Sequence, residues 1–124
     1  MWGGFYAKLD RRANAYSTGA NVRRVRYGWR IKVLWLIEPT TTTSVTLSGS
    51  NTTTGQPLYF ETGGVQPRGP SARLALDPSY PAIPVQHGRW KEFPSYLFAP
   101  SAGCYRLTAS WAGGSWALGF GFGR

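Results

Sequence analysis

Two-residue alternation of bulky with small or polar side chains constrains this chain more than any other feature of its sequence. Bulky or apolar residues occupy every second position in 105–111 and again in 116–122, and a Gly-containing segment, 112–114, separates the two stretches. A period of two is that of an extended strand with one buried face, whereas a helix repeats every 3.6 residues. The sequence therefore predicts a C-terminal β-hairpin whose bulky side chains face a core.

The same alternation occurs near the N-terminal third, where basic residues take the outward positions. From Val25 to Val33 the β-branched and aromatic residues alternate with Arg26, Gly28, Arg30 and Lys32, and a continuous apolar run, VLWLI, follows. We expect one strand over residues 22–37 that enters a covered region at its end. Because sixteen residues is long for one strand, we also expect a bend or bulge near Tyr27-Gly28.

The remaining segments predict an all-β domain. Short apolar runs recur between turn-rich segments that share 16 Gly and 9 Pro, and no segment has the spacing of an amphipathic helix. Repeated short strands of this kind are typical of a two-sheet antiparallel sandwich. The length of 124 residues fits one domain over 1–124, with 1–21 as an irregular N-terminal extension.

The charge balance favours an anionic partner. Lys and Arg number 14 against 5 Asp and Glu, which gives a formal net charge of +9. Nucleic acid, an anionic lipid or acidic-polymer surface, and an acidic protein would each be attracted to such a chain. The alternative is that the charge only keeps the protein soluble.

A basic ladder is the strongest functional signal in the sequence. Four residues share one face of the predicted strand: Arg24, Arg26, Arg30 and Lys32. Alternate residues of a strand are ~6.8 Å apart, which is close to the spacing of phosphates along a nucleic-acid strand, and Arg can bind phosphate or carboxylate through two nitrogens. A single-strand nucleic-acid site would also need exposed aromatic rings beside the cations, and in this strand the aromatics lie on the opposite face. We therefore favour an acidic polymer, lipid or protein surface, with single-stranded nucleic acid as the alternative.

The C-terminal strand carries a second candidate contact. Its outward positions are nearly bare, at Ala117, Gly119, Gly121 and Gly123. Glycine inside a strand weakens it unless another backbone or a bulky group approaches closely. Gly119, Gly121 and Gly123 are accordingly predicted to contact a neighbouring chain or a ligand, and an edge position would allow strand addition. A frayed terminus is the competing interpretation.

No enzyme class is supported by the residues. His87 is the only histidine, no Gly-x-Ser-x-Gly sequence occurs, and the carboxylates are not clustered, so a hydrolase is only a weaker alternative. We predict no catalytic residue, cofactor or metal ligand. The single cysteine, Cys104, excludes an internal disulfide and is expected to be a small buried apolar residue.

The strand sequences also carry a family resemblance over roughly residues 30–124. The segments KVLWLIEP (32–39), SVTLSGS (44–50), PLYF (57–60) and GRWKEFPSYLFAPSAGCYRLTASW (88–111) resemble bacterial immunoglobulin-like domains of secreted or lipid-anchored proteins, with PSAGCYRLTA (100–109) as the most specific motif. The resemblance implies an immunoglobulin-like sandwich without catalytic residues.

The predicted function follows from the resemblance and the charge together. We expect a non-catalytic binding or structural module outside the cytoplasm, a subunit or accessory of a larger surface or membrane-associated assembly or of a self-assembly. The longest continuous apolar run, Val33–Ile37, predicts a buried strand and no transmembrane segment. The start of the chain, MWGG, does not have the composition of a signal peptide, which departs from the family's pattern.

Overall fold

A computed structural model describes residues 22–37, 40–62, 70–78 and 91–122 of the chain. Within these ranges the regular structure consists of β-strands, and no helix occurs. The strands are β1 (Val22–Val25), β2 (Gly28–Ile37), β3 (Val45–Asn51), β4 (Tyr59–Thr62), β5 (Leu74–Leu76), β6 (Lys91–Ala99), β7 (Gly103–Trp111) and β8 (Gly114–Phe122). The predicted N-terminal extension, 1–21, lies outside the described residues.

The strands form two antiparallel sheets of four. The first sheet has the order β1-β2-β6-β4, and the second has the order β5-β3-β7-β8. Registers are fixed by pairs such as Val33 with Ser95 in the first sheet and Leu47 with Ala109 in the second. The all-β prediction with two antiparallel sheets is confirmed, and the C-terminal hairpin, β7 with β8, pairs along its full length.

The two sheets share one hydrophobic core. Inward residues of β2 and β6 join inward residues of β3, β5, β7 and β8 in a single buried cluster, which places the sheets face to face as in a sandwich. The largest fully buried members include Tyr105, Phe60 and Leu107. Between the two strands at the centre of the first sheet, the Trp35 indole N–H donates to the Ser95 hydroxyl over 2.7 Å. This bond satisfies a polar group that burial would otherwise penalise.

The prediction of one strand through residues 22–37 is wrong. The chain reverses at Arg26-Tyr27, and β1 returns antiparallel to β2 with Val25 opposite Gly28. Gly28 has a φ of +113°, a conformation that residues with a Cβ rarely adopt, and a Cβ there would collide with the Ala99 carbonyl oxygen. The irregularity expected near Tyr27-Gly28 is therefore a hairpin turn and not a bend or bulge.

The turn between β6 and β7 is held by a buried tyrosine. The hydroxyl of Tyr105 donates to the Ser101 carbonyl over 2.6 Å and accepts from the Ser101 N–H over 3.2 Å. Tyr105 itself is fully buried near the start of β7. The ring thus anchors the corner at which the chain crosses from the first sheet to the second.

Candidate anion-binding surface

The four residues of the predicted basic ladder do not lie along one strand. Arg30 and Lys32 are on β2, Arg26 is in the turn, and the backbone of Arg24 in β1 lies opposite Trp29. The hairpin turn separates Arg24 from the others because it reverses the chain direction. The ladder geometry is therefore wrong, and the partner-binding role of the four residues stays a prediction.

The outer face of the first sheet brings cations and aromatic rings together. In the register of β2, β6 and β4, one row contains Arg30, Phe98 and Tyr59, and the next contains Lys32, Tyr96 and Glu61. Directly opposite residues of antiparallel strands share a face. We call this surface the cationic–aromatic face; its members are Arg26, Tyr27, Arg30, Lys32, Tyr59, Tyr96 and Phe98.

The expectation that the aromatics of this strand lie opposite the cations left the neighbouring strands out of account. It holds within β2, where Trp29 and Trp35 point inward, but not for Tyr27 in the turn, which lies against Tyr59 and Phe98. Tyr96 and Phe98 come from the neighbouring strand β6, whose alternation with Ser95 and Leu97 is visible in the sequence. The spacing of residues in the sequence does not show which strands are neighbours in a sheet. It therefore does not predict that Tyr96 and Phe98 lie beside Arg30.

Two guanidinium groups are stacked on tyrosines of this face. The Arg30 Cζ lies 4.1 Å from the centroid of the Tyr96 ring, and the Arg26 Cζ lies 5.8 Å from the centroid of the Tyr27 ring. Attraction between a cation and a ring is worth about 0.5–2 kcal/mol. The Arg30 Nε is buried without a hydrogen-bond partner. Contact with the ring therefore favours this orientation of the Arg30 guanidinium.

The rings beneath the cations form a small layer of their own. Tyr27 lies 5.4 Å from Tyr59 and 6.1 Å from Phe98, measured between ring centroids. Phe98 is only 2% exposed although it belongs to the outer side of the sheet, and it is not part of the central core cluster. This layer packs the β1–β2 turn against β4 and β6.

The charge of the face is only partly neutralised. Arg26 and Lys32 are exposed, and within the described part of the chain neither makes a hydrogen bond or an ion pair. Glu61 lies two strands from Lys32 in the same row, and Glu92 lies at the far end of the face opposite Leu36. The end of the face near the turn is consequently the one that presents free positive charge.

The second predicted contact lies on the other sheet. Gly119 and Gly121 are exposed on the outer face of β8, while Gly123 lies outside the described residues. The bulky residues of β8 face the core as expected; Phe122 is buried, and Trp116, Leu118 and Phe120 are partly buried against the core. The structure does not bring the glycines near the cationic–aromatic face, because the two surfaces are the outer sides of opposite sheets.

Cys104 is exposed, and the prediction of a buried thiol is wrong. It alternates with the buried Gly103 and Tyr105 along β7 and therefore points outward, opposite Gly121. Its apolar neighbours in sequence belong to the inner face and do not cover it.

The described residues contain no cluster of three His, Cys, Asp or Glu side chains that would hold a metal ion. His87, on which the hydrolase alternative depends, lies outside them. None of the described residues belongs to a helix that could span a membrane.

Comparison of the chain with protein-family models, with curated proteins and with solved structures finds no match.

Proposed function

We propose that the protein is a non-catalytic binding module with an immunoglobulin-like sandwich, which holds an anionic partner on the cationic–aromatic face. The observation that carries the proposal is the Arg30 guanidinium stacked over Tyr96 with the exposed Lys32 beside it. The N–H groups of a guanidinium lie in its own plane, so a guanidinium with one face against a ring still has in-plane donors that can bind carboxylate or phosphate. Lys32 and Arg26 add charge on either side.

The order of the strands supports the immunoglobulin-like part of the proposal. Immunoglobulin constant-type domains pair strands A, B, E and D in one sheet and C, F and G in the other. If β1, β2, β4 and β6 are taken as strands A, B, D and E, the order β1-β2-β6-β4 corresponds to A-B-E-D. If β3, β7 and β8 are taken as C, F and G, the order β3-β7-β8 corresponds to C-F-G. The strand β5, which joins the edge of β3, is an addition that follows β4 in the chain.

The buried tyrosine supports the same assignment. Immunoglobulin domains carry a tyrosine near the start of strand F whose hydroxyl bonds the backbone a few residues upstream, at the E–F corner. Tyr105 makes this bond to Ser101, four residues upstream, at the start of β7. In the PSAGCYRLTA motif that resembles the bacterial family, Tyr105 occupies the aromatic position that follows Cys104.

The test is a binding titration with a simple polyanion, inorganic polyphosphate, followed by tryptophan fluorescence at several salt concentrations. We expect Arg30→Ala/Lys32→Ala to weaken binding and to flatten its salt dependence, because two cations no longer release counterions. The matched control is Arg73→Ala/Arg106→Ala, which removes two charges from exposed residues of the second sheet region. An equal loss in both double variants would show that net charge alone acts, and the proposed face would be wrong.

Single-stranded nucleic acid is the second candidate, and the rings on the face are the observation that favours it. Base stacking on aromatic side chains contributes about 1–3 kcal/mol per base. We expect a single-stranded oligonucleotide to bind more tightly than polyphosphate of the same charge, and Tyr96→Ala to remove that difference. Equal affinities for the two polymers would refute the nucleic-acid candidate and leave the broader proposal standing.

We also propose a location outside the cytoplasm, in a surface or membrane-associated assembly. The support is the family resemblance alone. Protease added to intact source cells should digest the protein, whereas protection equal to that of a cytoplasmic marker would contradict the proposal.

A further inference from the structure

The guanidinium of Arg30 has no acceptor in the described part of the chain. Arg30 is partly buried, makes no hydrogen bond or ion pair there, and has only its Nε among the buried atoms that lack a partner. Its two terminal nitrogens, Nη1 and Nη2, are consequently open to the solvent. Because a partly buried cation is stabilised when an acceptor replaces the water it has lost, these nitrogens are suited to an oxyanion that approaches end-on.

Three phenol hydroxyls lie on the same face, on Tyr27, Tyr59 and Tyr96. Each of these tyrosines is partly buried, and in the described ranges none of the three hydroxyls makes a hydrogen bond or is a buried atom without a partner. The hydroxyls are therefore open to the solvent. A phenol O–H can donate to a partner, and its oxygen can accept. The face thus presents neutral hydroxyl groups as well as positive charge.

The arginines of the face already occupy two of these rings. Arg30 lies over Tyr96, and Arg26 lies over Tyr27. The Tyr27 ring also packs against that of Tyr59 at an angle of 51°. A base that stacks on a ring needs an open ring face. Hydrogen bonding is accordingly the main contact that these tyrosines offer to a partner.

The charge of the face is sparse. Its cations are Arg26, Arg30 and Lys32, and Glu61 lies in the same row as Lys32. Alternate residues of a strand, such as Arg30 and Lys32, are ~6.8 Å apart along the backbone. A partner whose anionic groups are separated by neutral hydroxyls matches this pattern better than polyphosphate, which has no neutral groups.

We propose that the anionic partner of the cationic–aromatic face is an acidic polysaccharide, a carbohydrate chain that carries carboxylates. This inference rests on the proposed function, since it names the partner of the same face. One carboxylate binds Nη1 and Nη2 of Arg30 end-on. Sugar hydroxyls bond the phenol hydroxyls, and Lys32 and Arg26 attract further carboxylates of the chain.

An acidic peptide offers the same carboxylates but matches the face less well. Each of its peptide units carries an N–H group that needs an acceptor. The cations of the face are donors only, and Glu61 is the one carboxylate in the rows of Arg30 and Lys32. A sugar hydroxyl can rotate to accept a hydrogen bond, so it does not need an acceptor on the face.

The first experiment compares polygalacturonate with poly-glutamate of equal carboxylate number, by calorimetric titration of the protein at one salt concentration. Both polymers carry carboxylates, and only polygalacturonate carries hydroxyls. We expect polygalacturonate to bind about tenfold more tightly, since about two net hydrogen bonds have that effect. It should also bind more tightly than polyphosphate of the same charge. This comparison uses the wild-type chain and does not depend on the folding of any variant.

The second experiment removes hydroxyls and keeps the rings. In Tyr59→Phe/Tyr96→Phe the preference for polygalacturonate should fall from about tenfold to about twofold, with the affinity for poly-glutamate unchanged. The matched control, Ser48→Ala/Thr108→Ala, removes two hydroxyls from the outer side of the second sheet and should keep the full preference.

The third experiment tests the end-on contact of Arg30. The variant Arg30→Lys keeps the charge and removes the pair of terminal nitrogens. We expect it to bind polygalacturonate about fivefold less tightly, with an unchanged dependence of affinity on salt. An affinity equal to that of the wild type would refute the two-nitrogen contact.

Equal affinities of the wild-type chain for polygalacturonate and poly-glutamate would overturn the inference, and so would loss of the preference in both double variants. Tighter binding of polyphosphate or of a single-stranded oligonucleotide would overturn it as well. In each of these cases the proposed function still stands, because an anion is bound. A chain that binds none of these polymers would refute the proposed function itself.

Discussion

The outer faces of the two sheets follow the same alternation and differ in what fills the outward positions. On the first sheet, Phe98 is 2% exposed beneath Tyr27 and Tyr59, so the outward side chains make a second packed layer. On the second sheet, the corresponding central row is Ser48, Thr108 and Ala117, which are small and at least partly exposed. The two-residue period determines on which face of the sheet a side chain lies. The size of the outward side chains determines whether they pack against one another as a second buried layer.

Truncation of Phe98 tests this contrast with the largest expected effect. Phe98→Ala should lower the free energy of unfolding by about 3–5 kcal/mol, as loss of a buried aromatic ring usually does. Thr108→Ala, in the central row of the second sheet, should change it by less than about 0.5 kcal/mol. Chemical denaturation with tryptophan fluorescence measures both, and similar small changes would mean that the first sheet has no packed outer layer.

Gly28 provides the next test, because it is a glycine that the fold requires. In Gly28→Ala the residue would have to keep a φ that is unfavourable for alanine, and its methyl group would press on the Ala99 carbonyl. We expect a loss of about 3 kcal/mol, since each of these two effects costs about 1–3 kcal/mol. Unchanged stability in the same denaturation assay would show that the β1–β2 turn can shift away from β6.

The fold could be predicted from the sequence wherever the alternation within a segment is enough to identify its strands and their inward face. Alternation in 105–111 and 116–122 was sufficient for the C-terminal hairpin and its inward face. The N-terminal hairpin was missed because Arg26-Tyr27 lacks the Asn-Gly or Asp-Gly composition of common two-residue turns, and the alternation passes through it without a break.

The candidate site could be predicted only in part, since it combines residues of three strands and a turn. Arg30 and Lys32 were recognised on β2, but their aromatic neighbours Tyr96 and Tyr59 depend on which strands pair with β2 and β6. That pairing is a long-range property with no local sequence signal. Cys104 is a different case, because the alternation within β7 itself places it on the outer face with Arg106, and the expectation of a buried thiol followed its apolar neighbours instead.

Two tyrosines, one on each sheet, sharpen the comparison further. Tyr105→Phe removes the hydroxyl that bonds both the N–H and the C=O of Ser101, and we expect a loss of about 1–2 kcal/mol. Tyr96→Phe keeps the ring under Arg30, and its stability should change by less than about 0.5 kcal/mol. Thermal unfolding of the two variants measures the difference. Equal effects would argue against a special role for the hydroxyl at the β6–β7 corner.

Gly121→Ala is expected to have a smaller effect than the variants at Phe98, Gly28 and Tyr105, and one of opposite sign. Gly121→Ala adds a methyl group that meets nothing within 4 Å, while it restricts the unfolded chain. Stability of the monomer should therefore rise by about 0.5–1 kcal/mol, in contrast to the loss at Gly28. The measurement is denaturation at a concentration too low for association. A loss of stability would mean that the monomer itself needs glycine at position 121, and the bare outer surface of β8 would then be a requirement of folding and no longer an argument for a partner.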